Sequence, residues 1–220
     1  MATFKRRNIT DIAKPLSLEE LRRRAKIVVI DDDPNSFPLD ILRKEGYSLE
    51  LWEKVESLDR LERGDFDIIV LDIGGVAKDY SLQHEDGLAI LEHLKGHNPT
   101  QIIVAFSGQS FDLSKNRFWQ MADDALSKPV DAVKCKQVID QLLRERFTIM
   151  HYWEGFRTIL QDAGLTQRKI DALEKSLVKA IGRNDRESAL TLMRNAVPAL
   201  DVTTRLGVIG LKILALCGIA

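Results

Sequence analysis

The sequence predicts an α/β protein in which a doubly wound sheet of five parallel strands is followed by an all-α C-terminal region. Short apolar runs alternate with amphipathic stretches between residues 26 and 145, which is typical of a doubly wound sheet. The central runs are apolar on both faces, as buried parallel strands require. After residue 145 the spacing of apolar residues is that of helices alone.

The elements follow in order along the chain. A first helix is predicted to begin at Ser17, because Glu20 three residues later completes a capping box. The predicted strands are Lys26–Ile30, Ser48–Trp52, Asp67–Leu71, Gln101–Phe106 and Asp124–Ser127. The predicted helices between and after them centre on Leu39–Lys44, Ser57–Arg63, Leu88–Leu94, Leu113–Met121 and Val133–Leu143.

Helical spacing of apolar residues continues beyond Ile139, so we expect the last helix of the sheet domain to continue into the tail. Gly164 is predicted to end that helix, and Thr166 to begin another that ends at Gly182. Asn184 then predicts the start of a further helix, through a capping box with Glu187.

Pro198 should end that helix, and Asp201 should cap the final one. Its last stretch, Leu206–Ala220, has 15 largely apolar residues interrupted by Lys212. A membrane span needs about 20 such residues. We therefore expect no membrane span, and a terminal helix that is buried or forms a dimer interface.

These patterns divide the chain into a basic N-terminal extension with a short helix (residues 1–25), a sheet domain (26–145) and a helical output or assembly domain (146–220). The net charge of −1 conceals an acidic middle, because residues 27–145 carry 23 acidic and 13 basic side chains. Two cysteines form neither a disulfide framework nor a zinc cluster, and no signal peptide is evident, so the expected location is the cytoplasm.

Charged and hydroxyl side chains follow the predicted strands. They are Asp31-Asp32-Asp33 after the first, Asp72 at the third, Ser107-Gly108 at the fourth and Lys128-Pro129 at the fifth. The carboxyl ends of parallel strands meet at one edge of the sheet, where ligands bind. Carboxylates that converge there repel one another, and Mg²⁺ with its oxygen ligands relieves that repulsion. A carboxylate beside Mg²⁺ can also attack phosphorus and form an acyl phosphate.

Five motifs in this order resemble the receiver domain of two-component response regulators, which has the CheY-like fold with a flavodoxin-like strand order. The motifs are Val29-Ile-Asp31-Asp32-Asp-Pro34, Ile69-Val-Leu-Asp72, Asp86-Gly-Leu88, Val104-Ala-Phe-Ser107-Gly108 and Ala122-Asp-Asp-Ala-Leu-Ser-Lys128-Pro129. Each is weak alone, but the ordered set is specific. The resemblance covers residues 26 to about 145.

The resemblance implies a role for each matching position. Asp72 resembles the phosphoacceptor, and Asp31 and Asp32 resemble the acidic pair that binds Mg²⁺ together with Asp72 and the Gly74 carbonyl. Ser107 and Lys128 resemble the residues that contact the phosphoryl group. Other implied features are a small residue at Gly108 that gives access, a side chain at Gln109 that influences attacking water, and a cis peptide before Pro129. For Asp33 we favour a solvated loop residue or a helix cap over a metal ligand.

The sequence departs from the family in the loop after Asp72, at Ala125, and at Gly74, which offers no side chain to hold or block attacking water. Residues 73–85 replace a shorter, proline-containing loop, and they are either a lid or partner surface or a tolerated surface insertion. Ala125 stands where the family commonly has Tyr or Phe, so the aromatic half of the usual switch is missing. Phosphorylation would then have to signal otherwise, for example through the insertion or the last helix.

The expected function is a phosphorylation-controlled response regulator, a signalling protein rather than an enzyme. Its partners would be a histidine kinase or a phosphotransfer protein, and its C-terminal helices would signal or form a homodimer. One alternative is a phosphorylation-independent interaction or assembly module, which Ala125 and the insertion favour. A DNA-binding regulator is weaker, because no helix-turn-helix with a basic recognition helix is evident.

Overall fold

The computed structural model describes residues 8–12, 15–74, 76, 86–108, 116–197 and 200–219. The chain forms two compact units. We call Leu16–Phe147 the sheet unit, and Thr148–Ala220 with the N-terminal residues up to Pro15 the helical unit. The predicted N-terminal extension is therefore divided: its first part groups with the helical unit, and residues 16–25 group with the sheet unit.

The sheet unit contains the predicted alternation of strands and helices. Its elements are α1 Leu18–Arg24, β1 Lys26–Ile30, α2 Leu39–Lys44, β2 Ser48–Trp52, α3 Leu58–Glu62, β3 Ile68–Asp72, α4 Asp86–His97, β4 Ile102–Ser107, α5 Asn116–Met121, β5 Asp124–Ser127 and α6 Ala132–Glu145. The strands form one parallel sheet in the order β2-β1-β3-β4-β5. This order confirms the predicted flavodoxin-like topology.

The central strands are buried because both faces of the sheet are covered by helices. Every residue of β3 and β4 is buried, and β1 is exposed only at Lys26. Alternate residues point to opposite faces of a strand. One face supplies the core cluster that includes Val28, Ile30, Ile69, Leu71, Ile103 and Ala105.

Helix α1 begins as predicted. The backbone N–H of Glu20 donates to Ser17 Oγ at 3.3 Å, and the N–H of Ser17 donates to Glu20 Oε2 at 2.8 Å. The helix is held to α6 by Arg22, whose Nε donates to Asp140 Oδ1 at 2.9 Å. This contact places residues 16–25 in the sheet unit.

The helical unit consists of a 3₁₀ helix at Ile9–Asp11 and the helices α7 Ile149–Asp162, α8 Gln167–Gly182, α9 Arg186–Arg194 and α10 Leu200–Leu216. Ile9 is fully buried, and its backbone N–H donates to Glu174 Oε1 of α8 at 3.1 Å. This burial and hydrogen bond explain why the start of the chain belongs to the same unit as its end.

Three predictions about the tail were wrong. Helix α6 ends at Glu145, and Thr148 starts the separate helix α7 by accepting the N–H of His151 at 3.2 Å. Asn184 does not cap α9. It has a left-handed φ of 57°, which Asn tolerates after a helix, and Asp185 is the cap instead. Asp201 lies within the first turn of α10, which begins one residue earlier.

Other predictions about the tail were confirmed. Gly164 follows α7 with a φ of +83°, a conformation that Gly adopts without strain, and α8 ends at Gly182. The terminal helix α10 is largely buried, including Leu206, Ile209 and Ile213. Within the described part of the chain, every helix is too short or too polar to cross a bilayer.

Candidate functional site

The strand register brings the predicted site residues to one edge of the sheet. Ile30 of β1 pairs with Leu71 of β3, so Asp31 and Asp72 each stand one position further on neighbouring strands. Ser107 of β4 pairs with Ser127 of β5, and Lys128 follows directly. The crevice between β1 and β3 is the topological switch point, where doubly wound sheets bind ligands.

Three carboxylates converge at this edge. Oxygen atoms of Asp31, Asp32 and Asp72 all lie within 4.8 Å of one another. Asp31 is 0% exposed and Asp72 is 8% exposed, whereas Asp32 faces solvent. The site therefore has a buried wall and an open side.

Asp33 takes a different position from its neighbours. Its side chain is exposed and accepts the backbone N–H of Asn35 at 3.0 Å, which closes a short turn. Of the two expected roles, Asp33 is therefore the solvated loop residue and not the helix cap, because α2 begins only at Leu39.

Lys128 faces two of the carboxylates. Its Nζ lies 2.7 Å from Asp31 Oδ2 and 2.8 Å from Asp72 Oδ2. Its backbone N–H donates to the carbonyl of Ser107 at 2.9 Å, which fixes the start of its side chain beside β4. The peptide bond between Lys128 and Pro129 is cis, as the resemblance implied.

Burial and charge shift the titration of both partners. Burial raises the pKa of Asp72, while its hydrogen bond with Lys128 and one from the backbone N–H of Gly74 oppose that shift. Burial alone would lower the pKa of Lys128, but its hydrogen bonds with Asp31 and Asp72 outweigh burial and raise it. Lys128 is therefore held as a cation between carboxylates.

The remaining predicted site residues lie around this group. Ser107 is 4% exposed at the end of β4, and Ala125 of β5 is half-buried against the core. A Cβ on Gly108 would lie 3.5 Å from Cβ of Lys128, an ordinary contact, so the structure leaves space for a methyl group there. Gln109 lies outside the described residues, as do residue 75 and residues 77–85 of the insertion.

Gly87 belongs to the motif Asp86-Gly-Leu88, but the sequence assigned it no role of its own. A Cβ at this position would lie 2.7 Å from Cα and 2.9 Å from the carbonyl oxygen of Ile73, and closer still to the carbonyl oxygen of Asp72. The N–H of Gly87 also donates to the Ile73 carbonyl at 2.9 Å. Helix α4 therefore packs directly on the backbone that carries Asp72, and only glycine permits this approach.

Three further contacts at or directly beside the site residues were also not predicted. Ser36 Oγ donates to Asp31 Oδ2 at 2.5 Å. The Nζ of Lys128 lies 4.8 Å from the ring centroid of Phe106, and Phe37 packs edge-on against that ring. The sequence gives the order of these residues but not the path of the loop that carries Ser36 and Phe37.

The donor set fits a magnesium ion. Mg²⁺ prefers hard oxygen ligands and commonly uses few protein carboxylates together with water. Asp31, Asp32 and Asp72 supply carboxylate oxygens, and the exposure of Asp32 leaves a side open to solvent. Three carboxylates against the single charge of Lys128 also leave an excess of negative charge that a divalent cation would offset.

A parallel, doubly wound sheet with acids at its switch point and a lysine after its last strand defines a class of signalling domain. The family model of the response regulator receiver domain matches residues 27–140. The chain belongs to the response regulator receiver family, and the predicted resemblance is confirmed.

Solved structures of receiver proteins are similar to slightly more than half of this chain. A CheY-like receiver domain protein from Methanospirillum hungatei JF-1 is 26% identical, with 56% of this chain and 95% of that chain covered and a TM-score of 0.46. NtrX from Brucella abortus is 26% identical over 55% of this chain and 27% of its own, with a TM-score of 0.46. A two-component response regulator from Clostridium difficile is 23% identical over 56% of this chain and 98% of its own, with a TM-score of 0.47. Among curated protein sequences, none matches this chain significantly.

Proposed function

We propose that this chain is a response regulator that accepts a phosphoryl group on Asp72 in a Mg²⁺-dependent reaction. The donor would be the phosphohistidine of a kinase or phosphotransfer protein, and the helical unit would carry the output. The observation that supports this most is the convergence of Asp31, Asp32 and Asp72 with Lys128, whose Nζ lies 2.8 Å from Asp72.

The chemistry follows from the positions of these groups. An oxygen of the Asp72 carboxylate attacks phosphorus, a new O–P bond forms, and the P–N bond of the donor breaks with its electron pair left on the imidazole nitrogen. Lys128 and Ser107 would stabilise negative charge on the phosphoryl oxygens. When bound by Asp31, Asp32 and Asp72, Mg²⁺ would offset the remaining charge on those oxygens.

A phosphorylation-independent interaction module is the second candidate. It is favoured by Ala125, which is half-buried against the core and has no ring to rotate into the space that Ser107 would vacate. Such a module would use the same fold as a docking surface and would not respond to a phosphoryl analogue.

The test measures binding of Mg²⁺ and then of beryllofluoride, by tryptophan fluorescence and calorimetry. We expect Asp32→Asn to weaken Mg²⁺ binding about tenfold or more, because it removes a ligand charge. Asp33→Asn is the matched control, because Asp33 is adjacent and exposed and its turn needs only an acceptor oxygen. We expect Asp33→Asn to bind Mg²⁺ like the wild type.

The outcomes separate the two candidates. Beryllofluoride binding that requires Mg²⁺ and is lost in Asp72→Asn supports phosphorylation control. A wild-type protein that binds neither, or whose response persists in Asp72→Asn, would leave the interaction module as the better account.

A further inference from the structure

The loop between β1 and α2, residues 33–38, holds both oxygens of the Asp31 carboxylate. Ser36 Oγ donates to Oδ2 at 2.5 Å, and the backbone N–H of Asp33 donates to Oδ1 at 2.9 Å. Asp31 is 0% exposed, so these donors replace the water that would otherwise surround it. The orientation of a predicted metal ligand is therefore set by this loop.

The same loop also reaches Lys128. Phe37 lies edge-on to Phe106, with ring centroids 5.6 Å apart and an angle of 85° between the rings. The Lys128 ammonium in turn lies 4.8 Å from the centroid of the Phe106 ring, within the range of a cation–π contact. Both rings are buried, so neither can shift without moving its neighbours.

These contacts connect the loop to Lys128 in two ways, through Asp31 and through Phe106. Lys128 bridges Asp31 and Asp72, Asp31 is held by Ser36, and the next residue, Phe37, packs on the ring beneath Lys128. A change at Asp72 that moves Lys128 therefore acts on the loop through the hydrogen bond of Ser36 with Asp31 and through the packing of Phe37 on Phe106.

We propose that the β1–α2 loop positions Asp31 and Lys128 through Ser36 and Phe37, and that it rearranges when Asp72 is phosphorylated. This inference rests on the proposed function. A phosphoryl group on Asp72 attracts the Lys128 ammonium, which then shares its donors between Asp31 and the new oxygens. The hydrogen bond from Lys128 to Asp31 Oδ2 becomes weaker, and the contact of Lys128 with the Phe106 ring changes.

The loop offers a route for signalling that does not use residue 125. It ends where α2 begins, at Leu39, and Ile41 on that short helix is 54% exposed. A displaced loop thus changes a surface that a partner can contact. Coupling between two sites is reciprocal, so changes in the loop must also alter binding at the acidic site.

The first experiment measures Mg²⁺ affinity by calorimetry for the wild type, Ser36→Ala and Ser36→Thr. Loss of a hydrogen bond to a ligating carboxylate typically costs 10- to 100-fold in metal affinity. We expect Ser36→Ala to bind Mg²⁺ about tenfold more weakly, and Ser36→Thr to restore affinity because it keeps the hydroxyl.

Ser57→Ala is the control for a merely structural effect. Ser57 Oγ also accepts a hydrogen bond, from the N–H of Arg60 at 3.2 Å, but it caps α3, and no hydrogen bond among the described residues joins it to the acidic site. We expect Ser57→Ala to lower the melting temperature and to leave Mg²⁺ affinity unchanged. Phe37→Leu should slow phosphorylation by acetyl phosphate about threefold, since an aromatic pair contributes modestly.

The second experiment follows hydrogen exchange of residues 33–38 with Mg²⁺ and beryllofluoride. The N–H of Ser36 donates to the Asp33 carbonyl at 3.1 Å, so its exchange reports the state of the loop. We expect beryllofluoride to change exchange in this segment of the wild type but not of Asp72→Asn.

The outcomes distinguish failure of the inference from failure of the proposed function. If the wild type binds Mg²⁺ and beryllofluoride while Ser36→Ala binds Mg²⁺ equally well and exchange in the loop does not change, the inference is wrong and the proposed function stands. If the wild type binds neither, the proposed function fails and the inference with it.

Discussion

Two buried ionic clusters of the sheet unit differ in how their charges are matched. In the acidic site, Lys128 faces Asp31 and Asp72 with Asp32 nearby, so negative charge is in excess. In the second cluster, Asp140 of α6 accepts hydrogen bonds from Arg22 Nε at 2.9 Å, from the second guanidinium nitrogen of Arg22 at 2.5 Å and from the Tyr47 hydroxyl at 2.5 Å. There Asp140 is paired with Arg22, and Glu45, which lies 3.8 Å from Arg22, is paired with Lys136, so that the charges balance.

The pKa shifts of the two aspartates reflect this difference. Burial opposes ionisation in both. At Asp140, the hydrogen bonds from Arg22 and Tyr47 outweigh burial and lower the pKa, whereas at Asp72 burial outweighs the contact with Lys128 and the pKa is raised. A cluster whose charges balance stabilises the fold. A cluster with excess negative charge, such as the acidic site, can instead bind a cation.

The largest expected effect on stability is at the cluster around Asp140. Asp140→Ala removes the hydrogen-bonded partner of the largely buried Arg22, leaves it the longer contact of 3.8 Å with Glu45, and should destabilise the protein by about 3 kcal/mol. The control is Asp131→Ala on the same helix, which removes an exposed cap and should cost about 1 kcal/mol. Both are measured by chemical denaturation.

The effect of Asp140 should depend on pH in one direction. Its folded pKa is lowered, so its contribution is fully present above its unfolded pKa of about 4 and is lost as the pH falls through the folded value. The difference between wild type and Asp140→Ala should therefore shrink below about pH 4. A difference that grows in acid would contradict this assignment.

A smaller effect is expected at the backbone that carries Asp72. Gly87→Ala places a methyl group against the backbone of Asp72 and Ile73 and should destabilise the protein by about 2 kcal/mol. It should also weaken Mg²⁺ binding because Asp72 moves. Gly108→Ala adds a methyl group at ordinary contact distance from Lys128, and its stability should stay within about 0.5 kcal/mol of wild type. Equal losses in the two variants would refute the role given to Gly87.

The smallest expected change in the free energy of unfolding is a gain, and it is expected for Asp72→Asn. Because the folded pKa of Asp72 is raised, its ionisation opposes folding above that pKa. Asp72→Asn should therefore stabilise the protein at neutral pH without Mg²⁺, by about 1 kcal/mol. The gain should vanish as the pH falls and Asp72 becomes protonated. A variant less stable than wild type at pH 7 in EDTA would show that the contact with Lys128 outweighs burial.

The strands and the acidic site were predictable because they depend on short-range patterns and on topology. The bounds of β1, β2 and β5 agree with the predicted runs, and β3 and β4 are shifted by one residue. Once the strands are parallel, the acids that follow them must converge. The contact of Lys128 with two of these acids follows from the same rule.

What the sequence did not reveal depends on the path of irregular backbone. Ser36 and Phe37 reach Asp31 and Phe106 because the loop before α2 turns at Asp33 and continues to Leu39. The helix itself was predicted around Leu39–Lys44, but the course of the loop before it was not. Asn184 was misread because a left-handed residue after one helix and a cap before the next favour the same side chains. Docking of Ile9 into the helical unit is a long-range contact that no local pattern encodes.

We propose that Asp72 accepts a phosphoryl group because Asp31, Asp32 and Lys128 surround it. The most direct measurement incubates the full chain with radiolabelled acetyl phosphate and traps the acyl phosphate with borohydride, which converts the modified aspartate to homoserine for peptide mapping. We expect the wild type with Mg²⁺ to incorporate label before reduction and to contain homoserine at position 72 after it, when the labelled phosphate has been released, and we expect neither result in EDTA or in Asp72→Asn. Absence of label in the wild type, or equal labelling of Asp72→Asn, would contradict the proposal.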